Sequence, residues 1–246
     1  MTRLSDRPAW PMHEPAWPHA QASRFVEVDG QRWHVQVMGQ GSALWLLHGT
    51  GAASHSWRGL LPLLARHHTV VVPDLPGHGF SEALPAQSRS LPGMALALAR
   101  LATSLALPPE VIIGHSAGAA LALRAVLDGE LAPRQVIGIN AALLPFDGLA
   151  GLLFPPLARL FIRSSLLPRL VAGRARDGSA VHRLVSSTGS RLDATGLALY
   201  ARLIASPAHV AGALAMMANW DLDRLWHDLP RLATPLALLV GERDAT

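Results

Sequence analysis

Ser116 is the residue of this sequence whose surroundings are best suited to chemistry. It stands in Gly114-His115-Ser116-Ala117-Gly118, between an apolar run and an alanine-rich stretch. A sharp turn from a strand into a helix pushes a serine hydroxyl into a cleft. Gly114 and Gly118 are needed because a side chain at either position would collide with neighbouring backbone. The pattern therefore predicts that Ser116 is the nucleophile of an acyl-transfer site.

Such a site also needs hydrogen-bond donors for the negative charge that develops on the carbonyl oxygen. The N–H of Ala117 qualifies because it begins the predicted helix, where the helix dipole stabilises an anion. A second donor is expected from His48-Gly49-Thr50-Gly51, which ends an earlier apolar strand. We predict that the backbone N–H of Thr50 is this second donor of the oxyanion hole.

A carboxylate that orients the catalytic base is expected after a late strand. Residues 236–240 are apolar and are followed by Glu242 and Asp244, which come after Ser116 in chain order. We predict that Asp244 orients and stabilises a histidine base, with Glu242 as the alternative carboxylate. The base itself should follow the acid, but only two residues follow Asp244. We therefore expect the domain to need a further C-terminal strand and helix that this chain lacks.

Histidines that precede Asp244 are the alternatives for the base. We interpret His48 as a brace for its own loop, since the base comes after the acid in this arrangement. His115 adjoins the nucleophile and is expected to point away from it. His78 lies in residues 74–81, a loop of glycines and proline that we interpret as scaffold beside the pocket. Three further histidines lie in a predicted helical insertion: His182, His209 and His227.

The composition excludes several classes of site. The chain has no Cys, which rules out a thiol nucleophile, disulfides, zinc–thiolate sites and iron–sulfur clusters. We predict no cofactor and no metal site. All 21 basic residues other than histidine are Arg, and the formal net charge is only +4. This small charge and the lack of a recognisable nucleic-acid-binding module argue against a nucleic-acid partner.

The apolar segments predict neither an export signal nor a membrane span. Residues 1–7 mix charged and polar residues and lack the apolar core of a signal peptide. The longest apolar region, residues 141–162, is interrupted by Pro145, Pro155 and Arg159. We therefore expect a cytoplasmic protein, which could also make a peripheral contact with a membrane.

Strand-like and helix-like segments alternate along the chain. Continuous apolar strands separated by helices predict an α/β fold, with a mainly parallel sheet covered on both faces. The first two strands are expected to add to one edge in antiparallel fashion. The predicted strands are residues 23–28, 32–38, 43–47, 69–72, 111–113, 135–139 and 236–240. The clearest helical segments are residues 57–66, 91–107 and 117–127.

This alternation divides the chain into four parts. Residues 1–22 form an arm rich in Pro and Trp, whose Trp10 and Trp17 are expected to pack on the domain. Residues 23–144 and 232–246 form the two parts of the core. Residues 145–231 contain no convincing buried strand but several amphipathic stretches, which predicts a helical cap over the strand ends.

The motifs together resemble the α/β-hydrolase family. They lie at residues 48–51, 74–81, 114–118 and 241–244, and their order and context match that family. The resemblance implies the α/β-hydrolase fold, with a mostly parallel central sheet, helices on both faces and a helical cap. It also implies a serine hydrolase that acts on an ester or a related acyl bond.

Segments of both core and cap resemble a narrower family, the α/β-hydrolase-like magnesium-chelatase accessory proteins of bacteriochlorophyll biosynthesis. These segments are residues 33–39, 48–52, 140–146, 188–193 and 217–221. The resemblance implies a photosynthetic role around magnesium insertion, with an ester or tetrapyrrole-type substrate and magnesium chelatase as a partner. A non-catalytic accessory protein that binds a tetrapyrrole or the chelatase is the alternative.

The predicted cap is rich in arginine. Residues 149–202 carry eight Arg against Asp177 and Asp193. Arg pairs bidentately with carboxylates such as porphyrin propionates, and it also binds anionic lipid headgroups. A solvated face that uses Arg in place of Lys is the alternative interpretation.

Overall fold

The computed structural model describes residues 8, 10, 16–144, 167–174, 181–183 and 191–242. A seven-stranded sheet in the spatial order β1-β2-β4-β3-β5-β6-β7 forms its centre. The strands are β1 (Ser23–Val28), β2 (Gln31–Met38), β3 (Ala43–Leu47), β4 (Thr69–Pro73), β5 (Val111–His115), β6 (Gln135–Ile139) and β7 (Leu236–Leu239). At one edge, β1 pairs with β2 and β2 pairs with β4 in antiparallel fashion. The remaining five strands, β4, β3, β5, β6 and β7, are parallel to one another. The predicted α/β architecture is confirmed.

The helices that the structure describes are α1 (Leu61–Leu64), α2 (Leu91–Leu105), α3 (Ala117–Leu127), α4 (Leu167–Arg174), α5 (Ala194–Ile204), α6 (Pro207–Asn219) and α7 (Leu222–Asp228). Short 3₁₀ helices lie at Ala20–Ala22, Ser54–Trp57, Ala86–Ser88 and Leu229–Arg231. The prediction of one helix over residues 57–66 is wrong. The α-helix begins only at Leu61, with Pro62 in its first turn, where proline is favoured because its missing N–H would have no partner in the helix.

Side chains of β3 alternate between the two faces of the sheet. Trp45 and Leu47 pack with the buried residues of α2 and α3. Leu44 and Leu46 point to the opposite face, where they pack with Leu61 of α1. All five positions of β3 are buried, so this strand lies at the centre of the core. Burial on both faces explains why its sequence is continuously apolar.

The tryptophans of the N-terminal arm pack on the domain, as predicted. Trp17 is 2% exposed and its ring meets Phe80 edge-on, with ring centres 4.8 Å apart. Its indole N–H donates a hydrogen bond of 3.2 Å to the Ser54 hydroxyl. Trp10 also packs edge-on against Phe80, with ring centres 5.0 Å apart, and Leu199 of α5 belongs to the same cluster. The arm therefore joins a core loop to a helix of the predicted cap.

Among the described residues, no individual helix combines the length and the apolarity needed to cross a membrane. The helices α5 and α6 meet that criterion only as a pair, and the chain bends by 85° between them. Both helices bury part of their surface inside the protein, including Leu199, Leu203, Val210 and Met216.

Candidate active site

Ser116 lies between β5 and α3 in a conformation that is rare for a residue with a side chain. Its φ and ψ are 51° and −118°, and the residue is half-buried. A Cβ at Gly114 would overlap the backbone of Ala119, and one at Gly118 would overlap the Leu47 carbonyl. The strand, the strained turn and the helix of the predicted motif are therefore present.

The backbone of Ser116 is held by its neighbours. Its N–H donates to the Ile139 carbonyl at 3.0 Å, and its own carbonyl accepts from the N–H of Ala142 at 3.2 Å and of Ala119 at 3.0 Å. No described residue forms a hydrogen bond with the Ser116 hydroxyl. The turn is thus fixed by β6 and by the loop that follows it, while the oxygen that would react is not committed to a described partner.

The structure brings both predicted oxyanion donors to the same end of the sheet as Ser116. Ala117 is the first residue of α3, so its N–H has no acceptor within the helix. A Cβ at Gly49 would lie 3.1 Å from Ser116 Cβ, so the loop after β3 touches the turn after β5. Thr50 is the next residue of that loop, and its hydroxyl donates to Met216 Sδ at 3.1 Å.

The predicted carboxylate, Asp244, lies outside the described residues. The alternative, Glu242, is exposed. Just before it, the N–H of Gly241 donates to the side-chain oxygen of Asn140 at 3.0 Å. This bond ties the end of β7 to the end of β6, the strand next to β5.

His48 braces the loop after β3, as predicted from the sequence. Its Nδ1 lies 2.8 Å from the Gly49 carbonyl, and its Nε2 accepts from the N–H of Leu75 at 2.9 Å. Since a carbonyl only accepts and an N–H only donates, the ring is neutral with its hydrogen on Nδ1. Complete burial lowers the pKa of His48 to about 4, which agrees with the neutral form.

Asp74 is the buried carboxylate that organises the loop of residues 74–81. It accepts hydrogen bonds from the N–H of Ser54 at 2.7 Å and of Phe80 at 3.0 Å, and from His34 Nδ1 at 2.8 Å. Burial acts to raise the pKa of Asp74, but attraction to His34 and these hydrogen bonds outweigh it and lower the pKa. The scaffold role predicted for this loop therefore has a physical basis in the buried carboxylate of Asp74.

The other candidate bases are either occupied or exposed. His78 lies with its Nδ1 3.2 Å from the Pro76 carbonyl, and burial lowers its pKa to about 3. Both ring nitrogens of His209 bond to backbone groups. His182 and His227 are exposed, as is His115 on the turn itself. Within the described ranges, no three His, Asp or Glu side chains are grouped to hold a metal ion.

The structure has two cavities of about 240 and 570 Å³. The larger is an apolar groove between β7 and α7, lined by residues such as Leu143, Trp226 and Leu238. The described residues that line these two cavities do not include Ser116. The assignment of the site therefore rests on the turn at Ser116 and not on cavity size.

Comparison with known proteins agrees with this geometry. Residues 46–246 match the alpha/beta hydrolase family. The chain is 44% identical over 234 residues to the magnesium-chelatase 30 kDa subunit of Rhodobacter capsulatus, covering 93% of this chain and 80% of that protein. It is 32% identical over 229 residues to a pimeloyl-[acyl-carrier protein] methyl ester esterase of Xanthomonas oryzae pv. oryzae, covering 86% and 80% of the two chains.

Solved structures share the same architecture. An alpha/beta hydrolase fold protein from Burkholderia ambifaria superposes with a TM-score of 0.69 at 24% identity, covering 90% of this chain and 80% of that one. An epoxide hydrolase superposes with a TM-score of 0.72 at 21% identity, covering 89% and 82%. Since the family match spans most of the sequence and the sheet and turn have the expected form, this chain belongs to the alpha/beta hydrolase family.

Proposed function

We propose that the protein is a serine hydrolase of an ester or related acyl bond that acts as an accessory factor around magnesium chelation in bacteriochlorophyll biosynthesis. The observation that carries the hydrolase part is the conformation of Ser116. Ser116 has a φ of 51° although it is not a glycine, and it lies between two glycines that no larger residue could replace. Backbone strain of this kind is typical of active sites. It presents the hydroxyl at the ends of the parallel strands.

In the proposed reaction, Ser116 Oγ attacks the carbonyl carbon while its proton passes to a histidine base that Asp244 orients. The carbonyl oxygen becomes an oxyanion, which accepts hydrogen bonds from the N–H groups of Ala117 and Thr50. Collapse of this intermediate expels the alcohol with the proton and leaves an acyl-serine. Water then attacks the acyl-serine by the same route and releases the acid.

The pathway part of the proposal is supported by the relatives and by the predicted cap. One relative is a magnesium-chelatase subunit, and another is an esterase of a methyl ester. Arg191 is exposed on the described part of the cap, where its guanidinium could pair with a carboxylate of a tetrapyrrole-type substrate. Magnesium chelatase is the proposed partner, and the cytoplasm, with peripheral membrane contact, is the proposed location.

A fluorophosphonate probe on the full-length protein tests the hydrolase part, since such probes need an activated serine. We expect covalent labelling at Ser116, located by peptide mass spectrometry. Ser116→Ala should abolish the labelling, whereas Ser42→Ala, an exposed serine beside His68, should leave it unchanged. A folded wild-type protein that takes up no probe would refute the proposed chemistry.

A second candidate is a non-catalytic accessory protein that binds a tetrapyrrole or a chelatase subunit. The observation that favours it is the similarity to a magnesium-chelatase subunit, which extends over 93% of this chain. In a strain that lacks the gene, Ser116→Ala would restore pigment fully under this alternative but not under the first proposal. Quenching of tryptophan fluorescence by protoporphyrin would then measure direct binding.

A further inference from the structure

The helix α6 lies across the two loops that surround the proposed oxyanion hole. Three of its residues, His209, Gly212 and Met216, are spaced three and four positions apart and so share one face. A Cβ at Gly212 would overlap the Gly77 carbonyl, so the helix backbone touches the loop of residues 74–81. Four residues further on, Met216 Sδ accepts the hydrogen bond from the Thr50 hydroxyl.

His209 joins both loops through its ring. Its Nδ1 accepts from the N–H of Gly79 at 3.0 Å, and its Nε2 lies 3.0 Å from the Gly51 carbonyl. A carbonyl can only accept, so Nε2 carries the hydrogen and the ring is neutral. The residue is 2% exposed, and the Ser206 hydroxyl caps its backbone N–H at 3.3 Å. Both the ring and the start of the helix are therefore fixed.

These contacts hold the segment that carries the Thr50 N–H from two sides. The Gly49 carbonyl, which belongs to the same peptide unit as the Thr50 N–H, accepts from His48 and from the Ala52 N–H at 3.2 Å. On the other side of Thr50, the Gly51 carbonyl is bonded to His209. Gly51 has a φ of +73°, a region that glycine enters and leaves at little cost, so this side depends on the bond.

We propose that His209 is the positioning residue that aims the Thr50 N–H into the oxyanion hole, an inference that rests on the proposed hydrolase function. Without the bond from Nε2, the Gly51 carbonyl would lack its histidine partner and the loop could rotate about Gly51. An oxyanion donor acts on charge that develops only in the transition state, so its misplacement lowers kcat and leaves KM nearly unchanged.

Two substitutions test the two hydrogen bonds of the His209 ring separately, and both keep a polar side chain at this position. The amide nitrogen of His209→Gln can reach the place of Nε2 and donate to the Gly51 carbonyl. The shorter side chain of His209→Asn can accept from the Gly79 N–H but cannot reach Gly51. We expect ester hydrolysis by H209N in the full-length protein to fall about 10- to 100-fold in kcat at constant KM, less than the loss of a whole donor. We expect H209Q to recover most of the wild-type kcat.

The control is His67→Gln, an exposed histidine between α1 and β4, which should match the wild type. Hydrogen exchange of the peptide that spans residues 48–52 reports loop order independently of activity and should accelerate in H209N only. If the wild type hydrolyses the ester, either of two results would overturn the proposal. One is an unchanged kcat in H209N, and the other is an equal loss of kcat in H209N and H209Q. A failure of the proposed hydrolase function is distinguishable, because Ser116 of the wild type would then take up no fluorophosphonate. That result would also overturn the catalytic role proposed for His209.

Discussion

Asp74 and His34 are joined by a hydrogen bond of 2.8 Å between the carboxylate and Nδ1, and neither side chain is exposed to solvent. The pair links β2 to the residue after β4, its neighbour in the sheet. His34 Nε2 continues the chain of polar contacts to the Ser23 hydroxyl on β1 at 2.9 Å. Three strands and the loop of residues 74–81 thus depend on one buried carboxylate.

Asp74→Asn should strongly destabilise the protein. The amide keeps one oxygen, but it replaces the other by an NH₂ group that faces the N–H donors of the loop. A buried N–H donor left without its acceptor costs about 1–3 kcal/mol. Urea unfolding at pH 7.5 would measure this as a lower free energy of unfolding.

The matched control is Asp29→Asn, whose partner Arg100 is 2.7 Å away with both side chains more than half exposed. An exposed ion pair contributes about 1 kcal/mol or less, so this variant should resemble the wild type. Equal losses in the two variants would contradict the importance given to Asp74.

Because of its buried histidines, the protein should lose stability as the pH decreases. Burial is the first cause that lowers the pKa of His48 to about 4 and the pKa of His55, His78 and His209 to about 3. An unfolded histidine has a pKa of about 6.5, so below that pH the unfolded chain binds protons that the folded chain does not. Each histidine should therefore remove about 1.4 kcal/mol between pH 7.5 and 5.5, and the loss continues towards the folded pKa values. Urea unfolding at the two pH values measures the sum.

His55→Phe isolates one of these contributions. Neither ring nitrogen of His55 has a hydrogen-bond partner among the described residues, and the ring lies 4.6 Å from Tyr200 and 5.2 Å from Trp17. Unfolding of the variant at low pH should take up about one proton fewer than unfolding of the wild type, so its free energy of unfolding should depend less on pH. At pH 7.5 the variant should be about as stable as the wild type. An unchanged slope in His55→Phe would contradict the expected titration.

Gly118→Ala should disrupt the turn that carries Ser116. The added methyl group would overlap the Leu47 carbonyl, which belongs to the neighbouring strand and cannot move without disturbing the sheet. We expect a loss of at least about 1 kcal/mol in unfolding free energy and slower labelling of Ser116 by a fluorophosphonate. Gly59→Ala is the control, since nothing lies within 4 Å of its Cβ position and both properties should persist. Normal labelling in Gly118→Ala would mean that the turn tolerates displacement.

The sheet and the turn are predictable because they leave local signals. Apolar runs bounded by glycine and proline mark the parallel strands, and β3 and β6 have their predicted limits. The strained conformation of Ser116 follows from Gly114 and Gly118, whose lack of a side chain is visible in the sequence. These features depend on neighbours along the chain or on burial of whole strands.

The roles of His34, Asp74 and His209 leave no such signal. The partners of His209 are more than 100 residues away, and nothing local reveals which loop the ring will meet. The helix α6 itself is absent from the sequence analysis, although Ser206 followed by Pro207 is a typical helix start and could have indicated it. Long-range polar contacts of this kind are set by tertiary packing and become visible only with coordinates.

The N-terminal arm should contribute to stability through Trp17. The Trp17→Ala variant loses the edge-on contact with Phe80 and leaves the Ser54 hydroxyl without the indole donor. Truncation of a buried tryptophan costs about 3–5 kcal/mol, which urea unfolding would register. Because Leu199 and Leu203 of α5 share the cluster, hydrogen exchange in α5 should also accelerate. Trp226→Ala, at a tryptophan that is 48% exposed, should cost much less, and equal costs or unchanged exchange in α5 would show that the arm does not stabilise this helix.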